Sequence, residues 1–139
     1  MLYFVRMSAI TYKSNRNVYS SCTYHVVFCP QYRRKVLTDE VAERLKQILQ
    51  EVCEERQADL LDMEIMPDHV HLLLGCDPQF GIHRLVRLLK GRSSHLLRRE
   101  FPVLVRTLPT LWTSSYFVST VGGAPFAVIK QYVEHQKNV

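Results

Sequence analysis

The chain has 139 residues, 47% hydrophobic and 22% charged, which suits one compact domain with an ordinary core and leaves no room for a second. No apolar run is long enough to cross a bilayer, the start MLYFVRMSAITYKSNRN is too polar for a secretory signal, and four singly placed cysteines (Cys22, Cys29, Cys53, Cys76) match neither a zinc nor a redox spacing. A soluble, intracellular protein with small buried thiols is expected, and its net charge of +5 favours a polyanionic partner.

Residues 1–17 read as a polar, basic lead-in. VYSSCTYHVVFCP (18–30) is rich in β-branched and aromatic residues and stops at Pro30, as a first strand would. TDEVAERLKQILQEVCEERQ (38–57) opens on Thr38 or Asp39 as N-cap, carries acids in its first turn, and spaces Val41, Leu45, Ile48, Leu49 and Val52 as a helical stripe. ADLLDMEIMPD (58–68) and HVHLLLGCDP (69–78) read as two strands that turn around Pro67 and Asp68. GIHRLVRLLKGRSSHLLRRE (81–100) returns to helical spacing through Ile82, Leu85, Val86, Leu88 and Leu89, with Gly91 expected as an irregularity before the helix runs on to Pro102. LWTSSYFVSTVGG (111–123) is strand-like and ends in a glycine pair, and PFAVIKQYVEHQK (125–137) forms a terminal helix beginning near Pro125. The order βαββαβ plus one helix predicts an α+β fold: the ferredoxin-like split βαβ arrangement, an antiparallel sheet with two helices on one face. The other face is expected to be open for a site.

The strand at MPDHVHLLL (66–74) holds two histidines where apolar residues would be usual. Strand side chains alternate, so His69 and His71 share one face while Val70, Leu72 and Leu74 line the other. In isolation such a pair is more often a hydrogen-bonded part of the framework than a metal site. Two neutral imidazoles can also hold a divalent cation while leaving most of its coordination open for a substrate oxygen. Tyr132 and Gln136 in QYVEHQ lie one helical turn apart on one face. A tyrosine hydroxyl can attack an electrophile and a glutamine carbonyl can ligate a hard cation; packing against the sheet and solvation are the ordinary alternatives.

Taken together, YHVVFCPQYRRKVL (24–37), MPDHVHLLL (66–74), LKGRSS (89–94), LWTSSYFVSTVG (111–122) and YVEHQ (132–136) resemble, in order and spacing, the single-tyrosine HUH transposases of insertion sequences that move as single-stranded DNA. The resemblance spans nearly the whole chain and implies a single transposase domain over 1–139, with residues 125–137 as the catalytic tyrosine helix. It implies cleavage and rejoining of single-stranded DNA through a 5′-phosphotyrosine on Tyr132. It further implies a divalent metal, Mg2+ or Mn2+, on His69, His71 and Gln136, and recognition of subterminal hairpins. Similar enzymes are homodimers whose tyrosine helix completes the partner's site; the Gly122–Gly123 pair would serve as a hinge, although turn chemistry accounts for it equally well. A cytoplasmic, nucleoid-associated, prokaryotic enzyme is implied. Two positions depart from the family: Gln31, where a basic residue is usual, and His135, where an amide is usual and a solvent-facing ring is expected here.

Basic residues concentrate in two segments: Arg33, Arg34 and Lys35 after the first strand, and Arg84, Arg87, Lys90, Arg92, Arg98 and Arg99 in the second long helix. Helical geometry puts Arg84, Arg87 and Arg98 on the solvent side. Phosphate contacts are expected for Arg33, Arg34, Lys35, Arg84, Arg87, Lys90 and Arg92. Tyr32 and Trp112 are candidates for base stacking, with core packing equally open to Trp112. Two rival classes keep part of this pattern: a domesticated, non-mobile relative that binds or processes hairpins, and a metal-dependent nuclease that uses water and forms no covalent link.

Overall fold

The structure, a computed structural model, describes residues 22–121, the short strands at 14–15 and 18–19, and residues 134–135. Strands β1 (Ser14–Asn15) and β2 (Val18–Tyr19) pair with each other as a separate antiparallel ribbon. The first predicted strand is therefore divided. Its start bonds back onto the end of the lead-in, and only β3 (Cys22–Phe28) joins the main sheet.

That sheet has the order β4 (Asp59–Met66), β5 (His69–Cys76), β3, β6 (Phe117–Thr120), with every neighbouring pair antiparallel. Helix α1 (Asp39–Glu55) carries the chain from β3 across to β4, and β5 folds back between them, which is the split βαβ arrangement. Helix α2 (Ile82–Glu100) then leads toward β6.

One face of the sheet supplies Val26, Phe28, Val70, Leu72, Leu74 and Cys76 to the core, against Leu45, Ile48, Leu49 and Val52 of α1 and Leu85, Val86, Leu89 and Leu97 of α2. These are the residues of the two helical stripes. Burial of each large apolar side chain contributes roughly 1.5–3 kcal/mol relative to exposure, so the stripes, more than propensity, hold the helices. The acids Asp39 and Glu40 sit at the start of α1, where the helix dipole favours negative charge, while the Thr38 hydroxyl makes no capping bond. The Thr38 carbonyl accepts from the amides of Val41 and Ala42 instead.

Gly91 causes no irregularity: α2 is continuous through it, and a side chain there would meet open space. A glycine costs about 1 kcal/mol in a helix, and the packed stripe on either side offsets that. The helix does end before Pro102, but a short helix, α3 (Pro102–Thr107), starts on that proline, whose fixed φ and missing amide suit a first helical turn. Arg98 is not simply solvent-facing: its guanidinium donates to the carbonyl of Leu108 at 3.0 Å, at the end of α3. Trp112 belongs to the core, edge-on to Phe28 at 4.7 Å, with its indole N–H donated to the Ser93 hydroxyl at 3.0 Å.

Cys29 and Cys53 are buried, which pushes both thiols up to about 12, and all four cysteines are free. Among the described residues no helix is long and apolar enough to cross a membrane. The predicted terminal helix, with Tyr132, Gln136 and the Gly122–Gly123 pair, lies outside the described residues except for Glu134 and His135, which are helical.

Candidate functional site

Strand β5 is buried along its whole length, on both faces. Its second face carries His69, His71 and Leu73, and the adjacent β3 adds His25 and Val27, the latter paired in register with His71. The expectation of an open face fails at the histidines, since His69 is 8% exposed and His71 4%.

Each ring is held by a specific partner. The Nδ1 of His69 lies 2.9 Å from Oδ1 of Asp68, the turn residue just before the strand. The other Asp68 oxygen accepts from Nε of Arg33 at 2.8 Å. Burial disfavours the Asp68 charge, but the hydrogen bonds from His69 and Arg33 outweigh it and hold the carboxyl below its ordinary range. With its Nδ1–H given to a carboxylate, a neutral His69 carries its lone pair on Nε2, and that atom is buried with no hydrogen-bond partner among the described residues.

His71 meets a third histidine: its Nε2 lies 3.2 Å from Nδ1 of His25, with the ring planes 10° apart. Burial first, then the neighbouring His25 and His69, pushes His71 down to about 3, and burial lowers His25 as well. Burial therefore favours the neutral form of both rings.

His25 and Asp68 are the two residues the sequence reading missed here. Alternation in TYHVVF places His25 on the face of Val27, but only the β3–β5 register shows that this is also the face of His71. Asp68 reads as a turn former and is also an acceptor for an imidazole.

The loop after β3 has unusual backbone geometry. Tyr32 and Arg33 both adopt left-handed conformations, at φ 58° and 53°, which non-glycine residues rarely do. The loop is held there by the Pro30–Trp112 bridge, made by Gln31 N–H donated to Leu111 at 2.8 Å and Thr113 N–H donated to Cys29 at 3.0 Å, and by Arg33 N–H donated to Pro30 at 2.8 Å. As a result the Arg33 side chain turns inward, 13% exposed, while Tyr32, Arg34 and Lys35 stay on the surface. Arg33 also comes within 3.6 Å of the Glu134 carboxylate, two residues from both Tyr132 and Gln136.

The basic residues of α2 divide similarly. Arg84 and Arg87 are exposed, Arg84 lying 4.6 Å over the Phe80 ring. Lys90 is half-buried and donates to the carbonyls of Thr113 and Ser115 at 2.7 and 3.1 Å; burial drops its ammonium to about 8. Arg92 forms a two-point pair with Glu55 at 2.9 and 3.2 Å. His135 is exposed. Tyr132 and Gln136 lie outside the described residues, so the geometry covers the histidine half of the predicted site.

Among the described residues no three His, Cys, Asp or Glu side chains are gathered to hold a metal ion. The histidine half nevertheless suits one. A carboxylate fixes the tautomer of His69 and leaves a buried nitrogen without a partner among the described residues, the outer-shell arrangement characteristic of histidine ligands, and burial favours the neutral form of His71 on the same face.

The family model for IS200-like transposases matches residues 18–136. The chain is 39% identical over 126 residues to the ISDra2 transposase TnpA of Deinococcus radiodurans, covering 89% of this chain and 90% of that one. It is 35% identical over 118 residues to the IS200 transposase of Salmonella typhimurium, covering 84% and 77% respectively. A crystal structure of a putative transposase from Deinococcus radiodurans superposes with a TM-score of 0.81 at 38% identity, over 91% of this chain and 99% of that one. A REP-associated tyrosine transposase bound to a REP hairpin shares the fold alone, with a TM-score of 0.56 at 14% identity over 81% of this chain and 62% of that one. The motifs, the split βαβ sheet that carries the paired histidines, the family match over residues 18–136 and the similarity to the ISDra2 transposase over 89% of the chain lead to one assignment: the chain belongs to the IS200-like, single-tyrosine HUH transposase family, whose work is DNA transposition.

Proposed function

We propose that this transposase cleaves and rejoins single-stranded DNA at insertion-sequence ends through a phosphotyrosine intermediate, working on hairpin-bearing ends in the cytoplasm of a prokaryote. The observation that carries the reading is His69, oriented by Asp68 with its second nitrogen buried and, among the described residues, unpartnered, beside His71, whose neutral form burial favours.

In this reaction the Tyr132 oxygen attacks a backbone phosphorus. An oxygen–phosphorus bond forms to the enzyme, the bond from phosphorus to the 3′-oxygen breaks, and the phenolic proton is balanced by the proton that the departing 3′-hydroxyl takes up. The 5′-phosphotyrosine keeps the bond energy, so rejoining to another 3′-hydroxyl needs no nucleotide cofactor. His69, His71 and Gln136 would hold the divalent cation, Mg2+ or Mn2+, which when bound supplies positive charge for the phosphate oxygens. Asp68 keeps the His69 ring in one tautomer, and the burial of β5 keeps water from both rings. Incubating the protein with labelled hairpin-bearing single-stranded DNA and Mn2+, then separating products on a denaturing gel, tests the reading. A slow protein–DNA band is expected; free fragments alone would indicate a nuclease, and uncut DNA a binding module.

For hairpin binding, the exposed Arg34, Lys35, Arg84 and Arg87 are the proposed phosphate contacts, since Lys90 and Arg92 are already engaged within the fold. Affinity should then fall steeply with salt. Arg34→Ala or Arg87→Ala should each reduce the slope of log K against log salt by about 0.7–0.9, depending on whether the lost phosphate is single- or double-stranded. An unchanged slope in a titration by fluorescence anisotropy would mean that the residue is merely solvated.

The working unit is proposed to be a homodimer with Tyr132 and Gln136 completing the partner's histidine site. A Tyr132→Phe chain mixed with a His69→Ala chain under subunit exchange should regain adduct formation, because the heterodimer contains one wild-type composite site. Silence from confirmed heterodimers would place each tyrosine in its own subunit.

A further inference from the structure

The first basic cluster is not uniform. Tyr32, Arg34 and Lys35 are exposed, as a DNA-facing loop requires, but Arg33 between them is turned inward and 13% exposed. Two consecutive left-handed residues produce that turn, and three backbone hydrogen bonds hold them in place: Gln31 N–H to Leu111 and Thr113 N–H to Cys29, which together form the Pro30–Trp112 bridge, and Arg33 N–H to Pro30. Strain of this kind persists only where its surroundings over-determine it. Here it aims Nε of Arg33 at one oxygen of Asp68, 2.8 Å away, while the other oxygen of the same carboxylate meets Nδ1 of His69 at 2.9 Å. A carboxylate held by one histidine could still swing about its own side-chain bonds. Fixed at both oxygens, it cannot.

We propose that Arg33 is a positioning residue of the histidine site and not a phosphate contact: by clamping Asp68 it sets the orientation of the His69 ring. This rests on the reading of His69 as a metal ligand. The strained turn of the loop then has a purpose, since it separates an inward arginine that serves the site from outward basic residues that serve DNA. Outer-shell partners of this type typically matter by 10–100-fold in metal affinity.

The test compares wild type, Arg33→Gln, Asp68→Asn, their double variant and Arg34→Ala, with thermal melts as a check on folding. Arg33→Gln should weaken Mn2+ binding, followed by electron paramagnetic resonance, by about tenfold, and leave the salt slope of hairpin binding at the wild-type value. The double variant should bind Mn2+ no more weakly than Asp68→Asn alone, because both substitutions break one chain of contacts. In the metal-free protein, nitrogen NMR of His69 should change from a single pattern protonated at Nδ1 to exchange-averaged nitrogens in Arg33→Gln. The proposal is overturned if Arg33→Gln lowers the salt slope as Arg34→Ala does while Mn2+ affinity and the His69 pattern stay as in wild type. Failure of the wild-type protein to bind Mn2+ would count against the metal reading, and the NMR comparison would still decide the role of Arg33. Should Arg33→Gln not fold, Arg33→Lys decides instead. A lysine keeps the charge that a phosphate needs but lacks the planar guanidinium, so weakened Mn2+ binding at an unchanged slope is expected, and wild-type Mn2+ affinity contradicts the proposal.

Discussion

Replacing Tyr132 by phenylalanine is expected to abolish both strand cleavage and the covalent protein–DNA product, while hairpin affinity stays at the wild-type level. The substitution keeps the aromatic ring and removes one oxygen, so any contribution of the side chain to packing is preserved. If that oxygen is the nucleophile, nothing else in the proposed mechanism can form the ester to phosphorus. Activity on a denaturing gel and affinity by anisotropy, measured on the same preparation, separate chemistry from binding. Residual adduct in the variant would remove Tyr132 from its proposed role.

The second large effect is expected from His69→Ala combined with His71→Ala. Loss of Mn2+ binding and of adduct formation is expected, as for any pair of ligands. The burial of the two rings, 8% and 4% exposed, adds a cost in stability as well. Truncating buried side chains leaves voids whose cost is commonly about 2–5 kcal/mol, and Asp68 loses the partner that meets it at 2.9 Å. Against a total of about 5–15 kcal/mol for a typical domain, the double variant should remain folded with a clearly lowered melting temperature. Retained Mn2+ affinity in a folded double variant would return both histidines to a purely structural role. Burial and its histidine neighbours favour the neutral form of the His71 ring.

Much of this organisation could be read from the chain because its signals are local and periodic. The stripes Leu45, Ile48, Leu49, Val52 and Leu85, Val86, Leu89 face the core as helical spacing requires, and the turn at Pro67–Asp68 joins two antiparallel strands. What was misread depends on partners distant in sequence. The end of β2 could not be separated from β3 by composition, because both are β-rich; which residues bond to which strand decides it. Intrinsic propensity alone predicts an irregularity at Gly91, and the packing around it keeps α2 regular there. The inward turn of Arg33 was invisible in a run of three basic residues, since it arises from backbone contacts to Leu111 and Trp112 far along the chain. His25 joins the site only through strand register, 3.2 Å from His71. Asp68 is the instructive intermediate: proline followed by aspartate correctly announced a turn, and the same carboxylate also orients the first histidine. The predicted surface position of His135 agrees with its exposure.

The central claim is that Tyr132 becomes covalently joined to DNA. The most direct measurement is to let the wild-type protein react with a hairpin-bearing single strand in the presence of Mn2+, trim the bound DNA with nuclease, digest the protein, and locate the nucleotide remnant by mass spectrometry. The account expects the remnant on the peptide that contains Tyr132, attached through a 5′-phosphate, with a matching free 3′-hydroxyl on the released strand. Cleaved DNA with no modified peptide, or a remnant on any other residue, would contradict it.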